Sequence, residues 1–215
     1  MTLKDLRDLL RAQRLDDVAA PQLWTDLELN YYLNEAEKEA AIRTRCLIDS
    51  EFLSFTGTDQ YYDVDPLVIE IIRAHRSGDE RPLTKTALHE LDSNVWNWRT
   101  HTGRVTHWFM DGWNKFGLYR SPVESTTVSL TVIRRPLSDM VSDDDEPEIP
   151  EHFHDDLLDW AESLARRKSD SDTFRPDQAA AAELRFERTF GPRPTANILT
   201  QRAVRNTRRV RGLYI

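Results

Sequence analysis

His152 and His154 stand two residues apart and are followed at once by Asp155 and Asp156. Imidazole nitrogens and carboxylate oxygens so close together are the donor set of zinc and non-haem iron sites. The segment, however, reads as the start of a helix, where Asp155 and Asp156 are favoured by the positive end of the helix dipole alone. Residues two apart on a helix also do not face each other. The expectation is a solvated helix start with no metal, where replacing both histidines leaves folding nearly unchanged. The acidic run Ser142–Glu146 suggests calcium, but no glycine follows at the turn position and no closing glutamate sits at loop spacing. It reads as a flexible acidic hinge. The single cysteine, Cys46, is expected on the buried side of a helix as a small core residue and not as a nucleophile. One cysteine allows neither an intrachain disulfide nor a thiolate zinc cage. The chain has no Gly-x-Ser-x-Gly elbow, no Gly-rich phosphate loop and no His-Glu-x-x-His. Seven glycines in 215 residues leave little of the backbone freedom that nucleotide-wrapping loops use. These residues point away from an enzyme and from any cofactor.

Charge narrows the classes further. Residues 192–215 hold six arginines (Arg193, Arg202, Arg205, Arg208, Arg209, Arg211) and no acid. Removing those six from the 29 basic side chains leaves 23 against 37 acidic ones, a balance of −14 for residues 1–191. A DNA-gripping domain needs a positive main surface; this body would repel phosphate, and only the tail could bind it. With 39% hydrophobic and 31% charged residues the chain is too apolar for wholesale disorder. No apolar run approaches the ~20 residues that span a bilayer. The charged opening MTLKDLRDLLRAQRLDD lacks the apolar stretch of a signal peptide, so a soluble protein of a reducing cytoplasm is expected.

The elements that would position these residues are marked by caps and periods. Thr2 is a good N-cap with Asp5 three residues on, followed by the stripe Leu3, Leu6, Leu9, Leu10. Thr25 and Glu28 form a capping box, and Trp24 and Leu29 stand where a hydrophobic staple puts them. Leu29, Leu33, Ala36, Ala40 and Leu47 then mark a long amphipathic helix whose polar face carries Glu35, Glu37, Lys38, Glu39, Arg43 and Arg45. The period changes to two at Leu67, Ile69, Ile71, at Val105, His107, Phe109 and at Val128, Leu130, Val132. Prolines and glycines punctuate these runs, which read as an antiparallel sheet or small sandwich, with a short helix around Ala87–Leu91. Trp96, Trp98, Trp108 and Trp113 fall in this block; without basic neighbours they read as core and interface packing and not as a base-stacking platform. A third helix carries Phe153, Leu157, Trp160, Ala161 and Leu164. A fourth runs from Pro176 to Phe190 with Ala179, Ala182, Phe186 and Phe190 on one face, and stops at Gly191. The fold class expected is α+β. N- and C-terminal helices (1–50 and 143–191) form a bundle, 51–142 an inserted antiparallel β domain, and 192–215 an extended basic arm.

Three segments carry a resemblance. Pro21-Gln-Leu-Trp24-Thr-Asp26-Leu-Glu28-Leu, with Tyr32-Leu33-Asn34-Glu35-Ala36-Glu37, is the first. Leu130-Thr-Val-Ile-Arg134-Arg135-Pro136-Leu137 is the second. Glu148-Ile149-Pro150-Glu151-His152-Phe153-His154-Asp155-Asp156-Leu157, with Ala161 and Lys168-Ser-Asp170-Ser-Asp172, is the third. In their order and spacing over residues 16–190 they resemble the head-to-tail adaptor (connector) proteins of short-tailed bacteriophages.

The resemblance implies a virion structural protein at the head–tail junction, assembled in the host cytoplasm. It implies a ring of this chain, typically twelvefold, between the portal protein and the tail tube or nozzle, with no catalysis and no cofactor. Genomic DNA would pass an acidic channel without specific binding, and no membrane is involved. The basic arm resembles nothing in the family and is read on its own chemistry. Arg202, Arg205, Arg208, Arg209, Arg211 and Tyr214 suit docking on an acidic partner, the portal. The alternative function is a nucleic-acid-binding packaging or regulatory factor acting through the arginines.

Overall fold

The structure, a computed structural model, describes residues 1–170 and 172–198. Among the described residues, four α-helices and one π-helical stretch carry the first and last parts of the chain, and a short α-helix lies in the middle. Helix α1 (Leu3–Leu9) opens on the capping box of Thr2 and Asp5 and continues as a π-helical stretch, Leu10–Leu15. Helix α2 (Asp26–Thr44) opens on the second capping box: Glu28 N–H donates to the Thr25 hydroxyl, and Thr25 N–H to the Glu28 carboxylate. It ends at Arg45, in the left-handed region at φ 59°. Cys46 therefore lies beyond the helix and is half-buried, which corrects its expected place on the helix's buried side. Helices α3 (Leu88–Asn94), α4 (His154–Arg166) and α5 (Pro176–Phe190) follow, the last bounded by Pro176 in its first turn and by Gly191 at φ 80°.

The chain divides into two compact units, one of residues 1–47 and 134–193, the other containing residues 48–133. In the helical unit α4 packs on α5, on α2 and on the π-helical stretch. Leu3, Leu6, Leu10, Trp24, Leu29, Leu33, Ala36, Ala40, Leu157, Ala161, Ala165, Phe186 and Phe190 form one buried cluster. The stripe expected on α4 is broader than read: Leu158 and Ala165 are buried while Trp160 and Leu164 are half-exposed. Trp160 is covered by the Arg43 guanidinium, 4.8 Å from its ring centroid.

Residues 142–150 are no flexible hinge. The first-turn N–H groups of a helix lack partners inside it, and here Leu3 N donates to the Asp145 carbonyl (2.7 Å) and Lys4 N to that of Asp143 (3.2 Å). The Asp145 carboxylate accepts from Val141 N and Ser142 N (2.7 and 2.8 Å), bonds that hold its pKa below the usual carboxylate range. Ile149 is buried in the helical core. The acids that suggested a hinge instead tie the segment to the start of α1.

The other unit holds strands β1 (Ile48–Gly57), β2 (Tyr61–Asp63), β3 (Val68–Arg76), β4 (Thr84–Lys85), β5 (His107–Asp111), β6 (Lys115–Tyr119) and β7 (Thr126–Arg134). Among the described residues they form a three-stranded sheet in the order β1-β7-β3 and a four-stranded one in the order β2-β6-β5-β4. β1 and β7 run antiparallel, with Leu53 opposite Leu130 and Phe55 opposite Val128. The fold is α+β, as the alternation of periods indicates, with one departure: the short pair β4–β5 is parallel, so the second sheet is mixed. Trp108 and Met110 point into the cluster of Ile71, Ala74, Phe116, Val128, Leu130 and Val132, while Phe109 meets Leu91 and Trp98 on the opposite face. Gly117 faces Phe109 across the hairpin, and a Cβ there would lie 2.3 Å from the ring. Of the four tryptophans in this block, Trp98 and Trp108 are core, and Trp96 and Trp113 are exposed.

Candidate functional site

The two histidines are separated by their surroundings. His152 is exposed and lies against the Phe153 ring. His154 is 3% exposed; its Nδ1 accepts from the Met1 amine at 3.2 Å, which leaves Nε2–H to donate to the Ile149 carbonyl at 2.9 Å. Only half of the expected solvated helix start is therefore solvent. The second imidazole joins the chain's first residue to the segment before α4. Among the described residues no group of three or more His, Cys, Asp or Glu is placed to hold a metal. His154→Ala should lower unfolding free energy by about 1–3 kcal/mol, since it strands a buried carbonyl. His152→Ala should change it by less than about 0.5 kcal/mol. Urea denaturation of the two single variants reads the contrast, and equal effects would contradict it.

Several charged side chains lie inside the helical unit. Arg11 (5% exposed) places Nη1 2.5 Å from Asp17 and Nη2 2.7 Å from Asp26 and 2.8 Å from the Trp24 carbonyl. Asp17 (3% exposed) accepts from Leu23 N and Trp24 N, which fixes the turn leading into α2. On α4, Asp159 and Glu162 are both buried; Arg185 reaches both, at 3.0 and 2.5 Å, and Arg14 reaches Asp159 at 3.2 Å. Burial pushes the Glu162 carboxyl upward, against the pull of Arg185. Each ion is satisfied by a partner from another part of the chain, and removing one partner leaves the other buried and unpaired. These are positioning groups; none converges on an open site.

The open site is elsewhere on this unit. Asn34 brackets Met140, its Nδ2 donating to the Met140 carbonyl (3.0 Å) and its Oδ1 accepting from Met140 N (2.8 Å). Lys38 pairs with Asp139 at 2.8 Å. Glu37, 2% exposed, accepts from Glu148 N at 2.6 Å. Three polar side chains within five residues of α2 thus hold residues 139–148 alongside it. Where that strap passes the N-terminal half of α2 it leaves a cleft of about 580 Å³ lined by Leu27, Tyr31, Tyr32, Met140 and Val141, with Glu28 and Asp139 also in its wall. Leu27, Tyr31 and Val141 are 80%, 59% and 81% exposed. Sequence reading missed this surface. The signal was Leu27 and Tyr31, one turn apart and off the buried stripe of α2.

Arg202, Arg205, Arg208, Arg209, Arg211 and Tyr214 lie outside the described residues. Among the described residues no helix is long and apolar enough to cross a membrane. A search of curated proteins gives no match. A family model described as SU10 adaptor protein matches residues 1–211. The match spans every segment in which the likeness to phage head-to-tail adaptors was read. The chain belongs to the SU10 adaptor protein family.

Proposed function

We propose that this phage adaptor is a ring-forming structural protein of the virion. It sits between the portal and the tail tube or nozzle, twelve copies to a ring, and performs no catalysis. The observation that carries the reading is the family match over residues 1–211. The acidic balance of residues 1–191 supports it, because a wall of carboxylates lets DNA pass without sticking. In this reading the helical unit is the bundle that packs in the ring, the strand-bearing unit is an inserted domain, and residues 192–215 are the arm that docks on the portal. The ring assembles in the host cytoplasm and ends at the head–tail junction. Arginine fits the docking role because its fork pairs bidentately with carboxylates while its stem packs.

Electron microscopy of the chain mixed with its cognate portal should show an added ring, and a bare portal at saturating adaptor would overturn the assignment. Duplex DNA separates the reading from a packaging or regulatory factor. An acidic adaptor should bind it barely at physiological salt, whereas a DNA factor binds with a steep salt slope.

A further inference from the structure

The cleft beside α2 exposes large apolar side chains that nothing among the described residues covers. We propose that it receives the outer face of α5 from a second copy of this chain, with Leu184 as the inserted side chain. The contact rests on the ring proposed above and names the two surfaces by which neighbouring copies join.

The charges around the cleft define what fits it. Its acids are already paired within the chain: Glu28 with Lys168 and Asp139 with Lys38, both at 2.8 Å, Asp26 with Arg11 at 2.7 Å and Asp143 with Arg7 at 2.9 Å. An incoming cation gains little there, whereas an uncharged apolar side chain gains burial against Leu27, Tyr31 and Val141. The outer face of α5 presents such a group. Ala179, Ala182, Phe186 and Phe190 are buried where α5 packs on the rest of the helical unit, chiefly on α4. Leu184 stands about 150° round the helix from the centre of that face and is 55% exposed. Ala180 and Ala181 beside it are exposed too, and their small size lets another helix approach closely.

The flanking charges are complementary. In line with Leu184 on α5 stand Asp177 and Arg188, both exposed and in no ion pair among the described residues. On the cleft side Lys4 and Asp8, one turn apart on α1, and Asp144 in the strap are likewise exposed and outside any ion pair among the described residues. Lys4 N donates to the Asp143 carbonyl, and Arg7 of the same helix reaches Asn30 in the cleft wall, which sets these charges beside the opening. Arg188 has acids to meet and Asp177 a lysine, a polar rim around an apolar centre. The chain's own α5 cannot supply the contact, because it is fixed on α4 with Leu184 turned away. Cleft and helix are different surfaces, so each copy gives one and receives one. Such a contact continues round a ring, where a cleft-to-cleft contact stops at a dimer.

The test is thiol cross-linking on the cognate portal. Cys46→Ser removes the single native thiol, and Leu27→Cys and Leu184→Cys are added to that chain at exposed positions, which should leave the melting temperature unchanged. After mild oxidation the double variant should run as a ladder of covalent multimers in denaturing gels. Each single variant should give no adaptor–adaptor product, and the two mixed should give dimers and nothing larger. Leu184→Glu, without added thiols, should raise the adaptor concentration that fills the portal by at least about tenfold. Rings by electron microscopy without a ladder would overturn this contact and leave the ring reading standing, as would rings that Leu184→Glu fills at wild-type concentrations. A portal left bare by the wild type would overturn both. Dimers from Leu27→Cys alone would set two clefts face to face, and a product joining Leu27→Cys to the portal would make the portal the occupant; either sinks the proposal.

Discussion

Trp24→Ala is expected to destabilise the helical unit by about 3–5 kcal/mol, the usual cost of truncating a fully buried tryptophan. The indole is 1% exposed within the cluster formed by α1, α2, α4 and α5, and its Nε1 donates to the Ala165 carbonyl at 3.2 Å. Its backbone is held as firmly: Trp24 N donates to Asp17, and the Trp24 carbonyl accepts from Arg11. Truncation therefore opens a cavity, strands a carbonyl near the end of α4 and loosens the turn that sets the start of α2. Trp24→Phe separates these effects, keeping most of the apolar volume while losing the hydrogen bond, and should cost less than the alanine variant. Thermal melting should show a fall on the order of 10–20 °C for Trp24→Ala. If this variant melts like the wild type yet fails to join rings, Trp24 is an interface residue and its assignment to the core is wrong.

Local signals made much of this fold legible. Both capping boxes, the stop at Gly191 and the start at Pro176 depend on residues within a few positions of each other, so the sequence carries them whole. The strands around Ile71, Phe109 and Leu130 follow from a period of two. What could not be read was burial of charge. Glu37, Glu39, Asp159 and Glu162 look like an exposed face when counted along their helices. Their burial is set by partners 23 to 111 residues away for three of them: the Glu148 amide for Glu37, and Arg185 for Asp159 and Glu162. Glu39 has one such partner, Arg193, besides its neighbour Arg43. Periodicity sees one helix at a time and cannot supply these pairings. The same blindness turned residues 142–150 into a hinge, because the carbonyls of Asp143 and Asp145 and the Asp143 carboxylate are used by α1. It also hid the cleft, which exists only where the strap carrying Met140 and Val141 meets α2.

Glu37 gives this buried charge a measurable consequence. Burial is the main cause that raises its carboxyl from 4.5 to about 7, and the neighbouring acids Glu148 and Asp139 push the same way. Its hydrogen bonds from the Glu148 and Ile149 amides pull downward without prevailing. A group whose folded pKa lies above its unfolded value stabilises most when protonated in both states. Its contribution is therefore fully present below about 4.5 and is lost as pH rises through about 7. Over that window the difference amounts to about 3 kcal/mol. Glu37→Gln keeps an oxygen that can accept from Glu148 N but never ionises. Urea denaturation of both chains between pH 5 and pH 8 should show similar stabilities at the acid end. The glutamine variant should then become progressively the more stable, by up to about 3 kcal/mol at pH 8. Groups that titrate in both chains, such as Asp156 and Glu162, largely cancel in the difference. Parallel curves would mean that Glu37 is already ionised in the folded protein at pH 5, and that its two amide donors outweigh its burial. A rising gap would show that the strap over α2 is held more tightly in mild acid than in mild base, because ionised Glu37 faces Glu148 and Asp139 across the contact that holds the strap in place.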